Sequence, residues 1–191
     1  MIEYKKYRWF FTKSGKPVVG GKNAESNDSL LGELKKMNKE LIIMHTKSPG
    51  SPFCALIAHL DTVNKSDINE CAIFTGCFSR AWKEGKKSTD VHMFKLSQLV
   101  KDSNMKTGTW EVKGKVKDFT VKMKLAITKQ DGIIRAVPIE SIDSKDLIAF
   151  AFPGKIDKTK AIISTKIAEI KELNSEQLLS ALPAGGLKLE K

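Results

Sequence analysis

The chain has 191 residues, 41% of them hydrophobic and 29% charged, which is enough apolar material for one core and excludes disorder throughout. With 33 Lys and Arg against 22 Asp and Glu, the formal charge is +11, so polyanions are the favoured partners: RNA, DNA or an anionic membrane face. The odd cysteine count (Cys54, Cys71, Cys77), with no CxxC, excludes a disulfide framework and a zinc ribbon.

Only three of the 33 cations are Arg (Arg8, Arg80, Arg135). Lys is a point charge suited to phosphate, whereas Arg is the better reader of base edges. Backbone contact is therefore expected to dominate over sequence readout. No apolar run approaches the roughly 20 residues needed to span a bilayer. The N-terminus lacks a signal-peptide core. A cytoplasmic protein without membrane contact is expected.

The first predicted element is an aromatic strand over residues 6–12. A turn at Ser14 to Pro17 leads to a short strand at Val18 and Val19, making a hairpin. Asn23 or Ser26 caps a helix to about Met37, with Leu30, Leu31, Leu34 and Met37 on its apolar face. Short strands are expected over 41–44 and 53–60, around a Ser-Pro-Gly loop. Ser66 or Asp67 caps a second helix running to Trp82. A basic turn over 85–88 and a strand over 90–96 follow, then a polar connector. Strands over 109–112 and 119–128 flank a lysine-rich tract expected to form a hairpin. Further strands are read over 133–139 and 147–152. An amphipathic helix over 157–173 carries Ile163, Ile167 and Ile170. A last helix runs from Ser175 to Leu182, and the final residues are read as a disordered tail.

Strands and helices mix without regular βαβ alternation, which points to an α+β fold. A mixed or antiparallel sheet is expected, with helices on one side. The division is expected at 1–128, at 129–154 for strands extending the sheet, and at 155–191 for a helical C-terminal extension.

Several residues carry a resemblance. Tyr7-Arg8-Trp9-Phe10, the turn at Ser14-Gly15, Val18 to Ala24 and Asn27-Asp28 resemble the opening of NFACT-R domains, the RNA-binding domains of ribosome-associated quality-control factors. His45-Thr46-Lys47 with Pro49-Gly50-Ser51 is similar to the histidine-rich loop of bacterial members. Glu70 to Ala72 through Ser79 to Trp82 resembles the family's alanine-rich helix, and Lys101 to Gly108 its basic connector. The likeness covers roughly residues 4–128. It departs at Pro52, where many members carry His or another polar residue. The full-length factors hold further modules with no counterpart in these 191 residues. The resemblance therefore implies nucleic-acid binding, to tRNA or ribosomal RNA and through it the large ribosomal subunit, linked to translation.

Candidate contacts follow from local chemistry. Gly20-Gly21-Lys22-Asn23 lies between a strand and a helix, where backbone N–H groups and Lys22 suit a phosphate; the same residues also suit a turn and a helix cap. His45, Thr46, Lys47 and Ser51 form a polar loop able to hold a phosphate or a flipped nucleotide. Arg8 and Trp9 lie on opposite faces of a strand, and either stacks on a base or serves the core. Trp82 ends a helix near Lys86 and Lys87. Lys113, Lys115 and Lys117 alternate, so a strand would present all three on one face. No metal, cofactor or catalytic constellation is expected. Two alternatives stay open: an RNA-modifying enzyme with a pocket at His45, and a protein-interaction module docking through the C-terminal helix.

Overall fold

The structure is a computed structural model and describes residues 2–170 and 173–190. Strands β1 (Arg8–Phe11) and β2 (Pro17–Gly20) form the opening hairpin, with Arg8 opposite Gly20 and Phe10 opposite Val18. Helix α1 (Ala24–Lys36) starts where it does because Asn23 and Ser26 cap it reciprocally. Ser26 N donates to Asn23 Oδ1, and Asn23 N donates to Ser26 Oγ, both at 2.9 Å. Strands β3 (Ile42–Thr46) and β4 (Cys54–Leu56) follow. Helix α2 (Lys65–Cys77) begins two residues earlier than expected, since Asn64 rather than Ser66 is the cap and makes the capping box with Asp67. It ends at Cys77; Ser79 caps a separate short helix, α3 (Arg80–Lys83).

Strands β5 (Ser88–Lys95), β6 (Leu99–Val100), β7 (Glu111–Val112) and β8 (Lys117–Lys122) continue the chain. The first sheet has the order β1-β2-β4-β3-β5-β8 and is antiparallel throughout. Its side chains alternate between two apolar clusters, as strand geometry requires. Val19, Ile43, Ala55 and Phe94 meet Leu30, Leu31 and Leu34 of α1. Phe10, Val18, Met44, Cys54, Leu56 and Val91 meet Cys71, Phe74 and Cys77 of α2. The helices thus cover both faces of this sheet rather than one, and the class is α+β.

A second antiparallel sheet has the order β10-β9-β11-β12, built from β9 (Leu125–Gln130), β10 (Ile133–Pro138), β11 (Ala149–Ile156) and β12 (Leu187–Glu190). Its apolar residues, among them Leu125, Ile127, Ile134 and Val137, join the cluster around α2. Every residue of α2 from Glu70 to Cys77 is buried, because the helix lies between the two sheets. Helices α4 (Lys158–Thr165), α5 (Ile167–Ile170) and α6 (Ser175–Ala181) complete the chain.

Four sequence expectations are corrected here. The stretch 119–128 is two strands in different sheets, since the chain turns at Met123 and Lys124. The lysine-rich tract is no hairpin: β7 pairs with β6, β8 pairs with β5, and Gly114 between them has a φ of +88°. The helix read over 157–173 breaks at Lys166, whose φ is 50°. That break leaves Ile163 exposed at 69% while Ile167 is buried; the helix's last residues fall partly outside the described ones. The tail is an edge strand, with Leu189 opposite Ala151 and Leu187 fully buried.

Candidate nucleic-acid interface

Three loops meet above the ends of β1 and β3. The first, Gly21 to Ala24, enters α1. The second, Lys47 to Phe53, joins β3 to β4. The third, Thr107 to Trp110, precedes β7. They enclose a cavity of about 500 Å³ that Arg8, Lys22, Asn23, His45, Lys47 and Ser51 also line. Six of the sequence candidates therefore converge. Among the described residues, its charged side chains are cations and no carboxylate lines it.

The loops are held by short-range necessities. Gly21 leaves no room for a side chain, since a Cβ there would lie 2.0 Å from Asn27 Oδ1. That oxygen instead accepts from Phe53 N at 3.1 Å, tying the first turn of α1 to the second loop. Gly108 has a φ of +77°, and a Cβ there would press on Ala24 at 2.7 Å. Asp28 fixes the third loop: Trp110 Nε1, Gly108 N and Lys101 Nζ all donate to its carboxylate.

His45 sits at the end of β3, its ring 4.5 Å from that of Phe53. Its Nδ1 lies 2.7 Å from Thr46 O. A carbonyl only accepts, so Nδ1 carries the proton and Nε2 is left as an acceptor. Burial pushes the His45 pKa below the ordinary imidazole value, with the Thr46 carbonyl opposing and His92 adding to the shift. The ring is therefore neutral near pH 7. Arg8 is half-buried with its guanidinium 4.8 Å from the Phe78 ring centre. Burial lowers the Lys22 pKa, and the nearby positive charges of Arg8 and Arg135 add to the effect. Lys47 is exposed at the rim.

Several candidates have other work. Trp9 is 1% exposed, edge-on to Tyr4 and Phe11, so neither ring face is free for a base. Trp82 is fully buried in the cluster around α2 rather than at a surface. Thr46 is buried, and its hydroxyl donates to Ser48 O at 2.6 Å. Ser51 Oγ accepts from Thr46 N and donates to Pro52 O, so its proton is occupied within the loop. The Asn23 side-chain oxygen is likewise engaged in the α1 cap.

The remaining lysines do not join this cavity. Lys86 pairs with Glu84 at 2.7 Å, and Lys87 is exposed. Lys113 and Lys115 lie outside any strand, so the one-faced stripe with Lys117 does not form. Lys115 and Lys117 border a separate depression beside Ile42, Val63 and Met93. Ile42 and His45 are three residues apart on β3, about 10 Å at strand rise.

Sequence reasoning missed Trp110. It lines the cavity half-buried, with the Lys35 and Lys101 ammonium groups 5.8 and 5.6 Å from its ring centre. An aromatic face among cations is the chemistry that stacks a base and tracks its phosphate. The neighbouring Lys101 to Gly108 connector held the signal, but not the Asp28 partner that folds it over the cavity.

The fold and cavity define a basic α+β domain with a concave site lined by cations and an aromatic ring. The family described as NFACT protein RNA binding domain matches residues 6–114, more than half of the chain, and the chain belongs to that family. It is similar to the "Archaeal Rqc2 homolog aRqcH" of Methanocaldococcus jannaschii, 24% identical over 200 aligned residues that cover 98% of this chain and 29% of the relative. This chain thus spans under a third of that relative's length, and the likeness runs through the second sheet as well. The fold also resembles the C-terminal part of the fibronectin/fibrinogen-binding protein FBPS from Streptococcus suis. That match has a TM-score of 0.54 and 23% identity, and covers 61% of this chain and 45% of that one. No helix among the described residues is long and apolar enough to cross a membrane.

Proposed function

We propose that this protein binds structured RNA, tRNA or ribosomal RNA, through the cavity between Lys22, His45, Lys47 and Trp110, and that it acts in ribosome quality control in contact with the large ribosomal subunit. The observation that carries the reading is the lining itself: Arg8 from β1, Lys22 and Lys47 from two loops, an aromatic ring from the third held by Asp28, and no carboxylate among the described residues. Family membership and the relative's printed description as an Rqc2 homologue support the ribosomal setting. Lys22 and Lys47 engage backbone phosphates. Trp110 offers a stacking face, and His45, neutral near pH 7, adds a positive charge beside the phosphates when it protonates.

The experiment is binding to total tRNA, large ribosomal subunits and duplex DNA, each at low and near-physiological salt. The log–log salt slope should be about −0.7 to −0.9 per phosphate contacted. A preference for tRNA or subunits that persists at the higher salt supports the proposal. Equal binding to all three that vanishes with salt overturns it.

A further inference from the structure

On the far side of Arg8 and Lys22 lies a second, smaller cavity of about 80 Å³, between the opening hairpin, β10 and α6. Among the described residues, its charged wall consists of Lys5, Arg8, Lys22 and Arg135, with Ser180 at one edge and again no carboxylate. Lys5 is paired with Asp131 at 2.6 Å. Among the described residues, no ion pair reaches Arg8, Lys22 or Arg135. The Arg135 Nε atom is sealed from solvent and has no hydrogen-bond partner.

Both guanidinium groups are oriented by aromatic rings. Arg8 lies over Phe78 at 4.8 Å and Arg135 over Trp9 at 4.6 Å. Stacking fixes a guanidinium plane and leaves its N–H edge as a preset fork. Burial lowers the pKa of both groups; on Arg135 the charge of Arg8 adds to the effect. Lys158 of α4 also feels Arg8, although its ammonium donates to Leu179 O at 2.8 Å. Half-buried cations without counter-charges are costly to fold, and an anion seated among them removes that cost. The space is that of two or three waters at roughly 30 Å³ each, the size of one tetrahedral oxyanion and too small for a base.

We infer that Arg8, Lys22 and Arg135 form a binding site for a single phosphate group, completed by the second sheet. Arg8 and Arg135 grip two phosphate oxygens through their forks, and Lys22 adds a point charge. Arg135 lies beyond residues 6–114, so the site makes the C-terminal third part of the ligand-binding surface. The source of the phosphate is either RNA or a free phosphate; only the RNA source rests on the reading proposed above.

The test is calorimetric titration of the full chain with inorganic phosphate in low-salt chloride buffer. One saturable site is expected, with affinity falling about tenfold or more in Arg8→Gln and Arg135→Gln. Arg135→Lys keeps the stem and charge beside Trp9 and should bind with intermediate affinity, which separates loss of the fork from misfolding. Absence of saturable binding to the wild-type chain, or equal affinity in the wild type and both Arg135 variants, overturns the site. A short RNA with a 5′-phosphate is compared with its 5′-hydroxyl twin. Tighter binding of the phosphorylated strand, lost in Arg135→Gln, supports an RNA source. No difference between the strands, with inorganic phosphate still bound at Arg135, supports a free phosphate at the same site. RNA binding without any phosphate binding overturns this site and leaves the larger cavity's function standing.

Discussion

Trp110 Nε1 donates to Asp28 Oδ1 at 2.7 Å, and through that bond helix α1 holds the loop that roofs the cavity. Asp28 also accepts from Gly108 N and from Lys101 Nζ, the latter in an ion pair at 2.9 Å. Asp28→Ala leaves a half-buried indole and an amide without their acceptor. The expected cost is about 1–3 kcal/mol, together with faster amide exchange across 101–110 and weaker RNA binding. Exchange and RNA affinity indistinguishable from wild type would show that the loop stays in place without Asp28.

Acid should act on a different carboxylate. Asp67 is fully buried and accepts from Ser14 Oγ, Asn64 N and Thr12 Oγ1, with Lys16 Nζ 2.9 Å away. Burial alone would raise its pKa, but these donors outweigh it and hold the pKa at about 2. A carboxylate depressed in the fold stabilises above its unfolded pKa, and that contribution is lost as pH falls through the folded one. The window is therefore about pH 4 down to 2, and the contribution about 2 kcal/mol at neutral pH. Asp67→Asn should lower neutral-pH stability and flatten acid denaturation over that window. An unchanged acid profile would count against the assignment.

The last strand offers a test of packing. Leu187 is fully buried and pairs with Pro153 and, after a bulge, with Ile156. Leu187→Ala should cost about 2–5 kcal/mol, and deleting residues 187–191 should expose the edge of β11. Chemical denaturation reads both. A cost under about 0.5 kcal/mol, ordinary for surface substitutions, would mean the strand does not pack as described.

The legible and illegible parts of this chain divide along sequence distance. Helix α1 and its Asn23 cap follow from residues three or four apart, and the opening hairpin from partners no more than twelve apart, and the sequence shows them directly. The two sheets do not: β8 and β9 are separated by Met123 and Lys124 alone, and only their distant partners β5 and β11 place them apart. Arg8, Lys22, Asn23, His45, Lys47 and Ser51, which line one cavity, stand out in the sequence as basic or polar residues in loops or at strand ends. Trp9 and Trp82 are ambiguous in sequence, since a tryptophan beside cations looks alike in a core and at a surface; both are buried. Trp110 was missed because its role depends on Asp28, 82 residues away.

Charge placement separates specific from diffuse binding. Lys22 and Lys47 line the cavity, whereas Lys113 is exposed outside it. Lys22→Gln and Lys47→Gln should each weaken RNA binding about three- to tenfold and reduce the salt slope by about 0.7 to 0.9. Lys113→Gln should change affinity less than twofold. Equal losses from all three would mean that RNA senses net charge and not the cavity.

His45 supplies a pH signature. Its pKa is lowered by burial, so the unfolded chain takes up this proton first, near pH 6.5. Stability tied to this group is present above that pH and falls as pH drops toward the lower folded pKa. RNA binding should move oppositely, because a nearby phosphate favours the charged ring and affinity rises as the ring protonates. His92 lies opposite His45 on β5, its Nε2 3.1 Å from Asp118, and serves as the control. RNA affinity measured between pH 8 and 5.5 at constant salt should rise for the wild type and for His92→Gln. It should stay nearly flat for His45→Gln. A rise that persists in His45→Gln and disappears in His92→Gln would move the titrating group out of the cavity and remove His45 from the RNA contact.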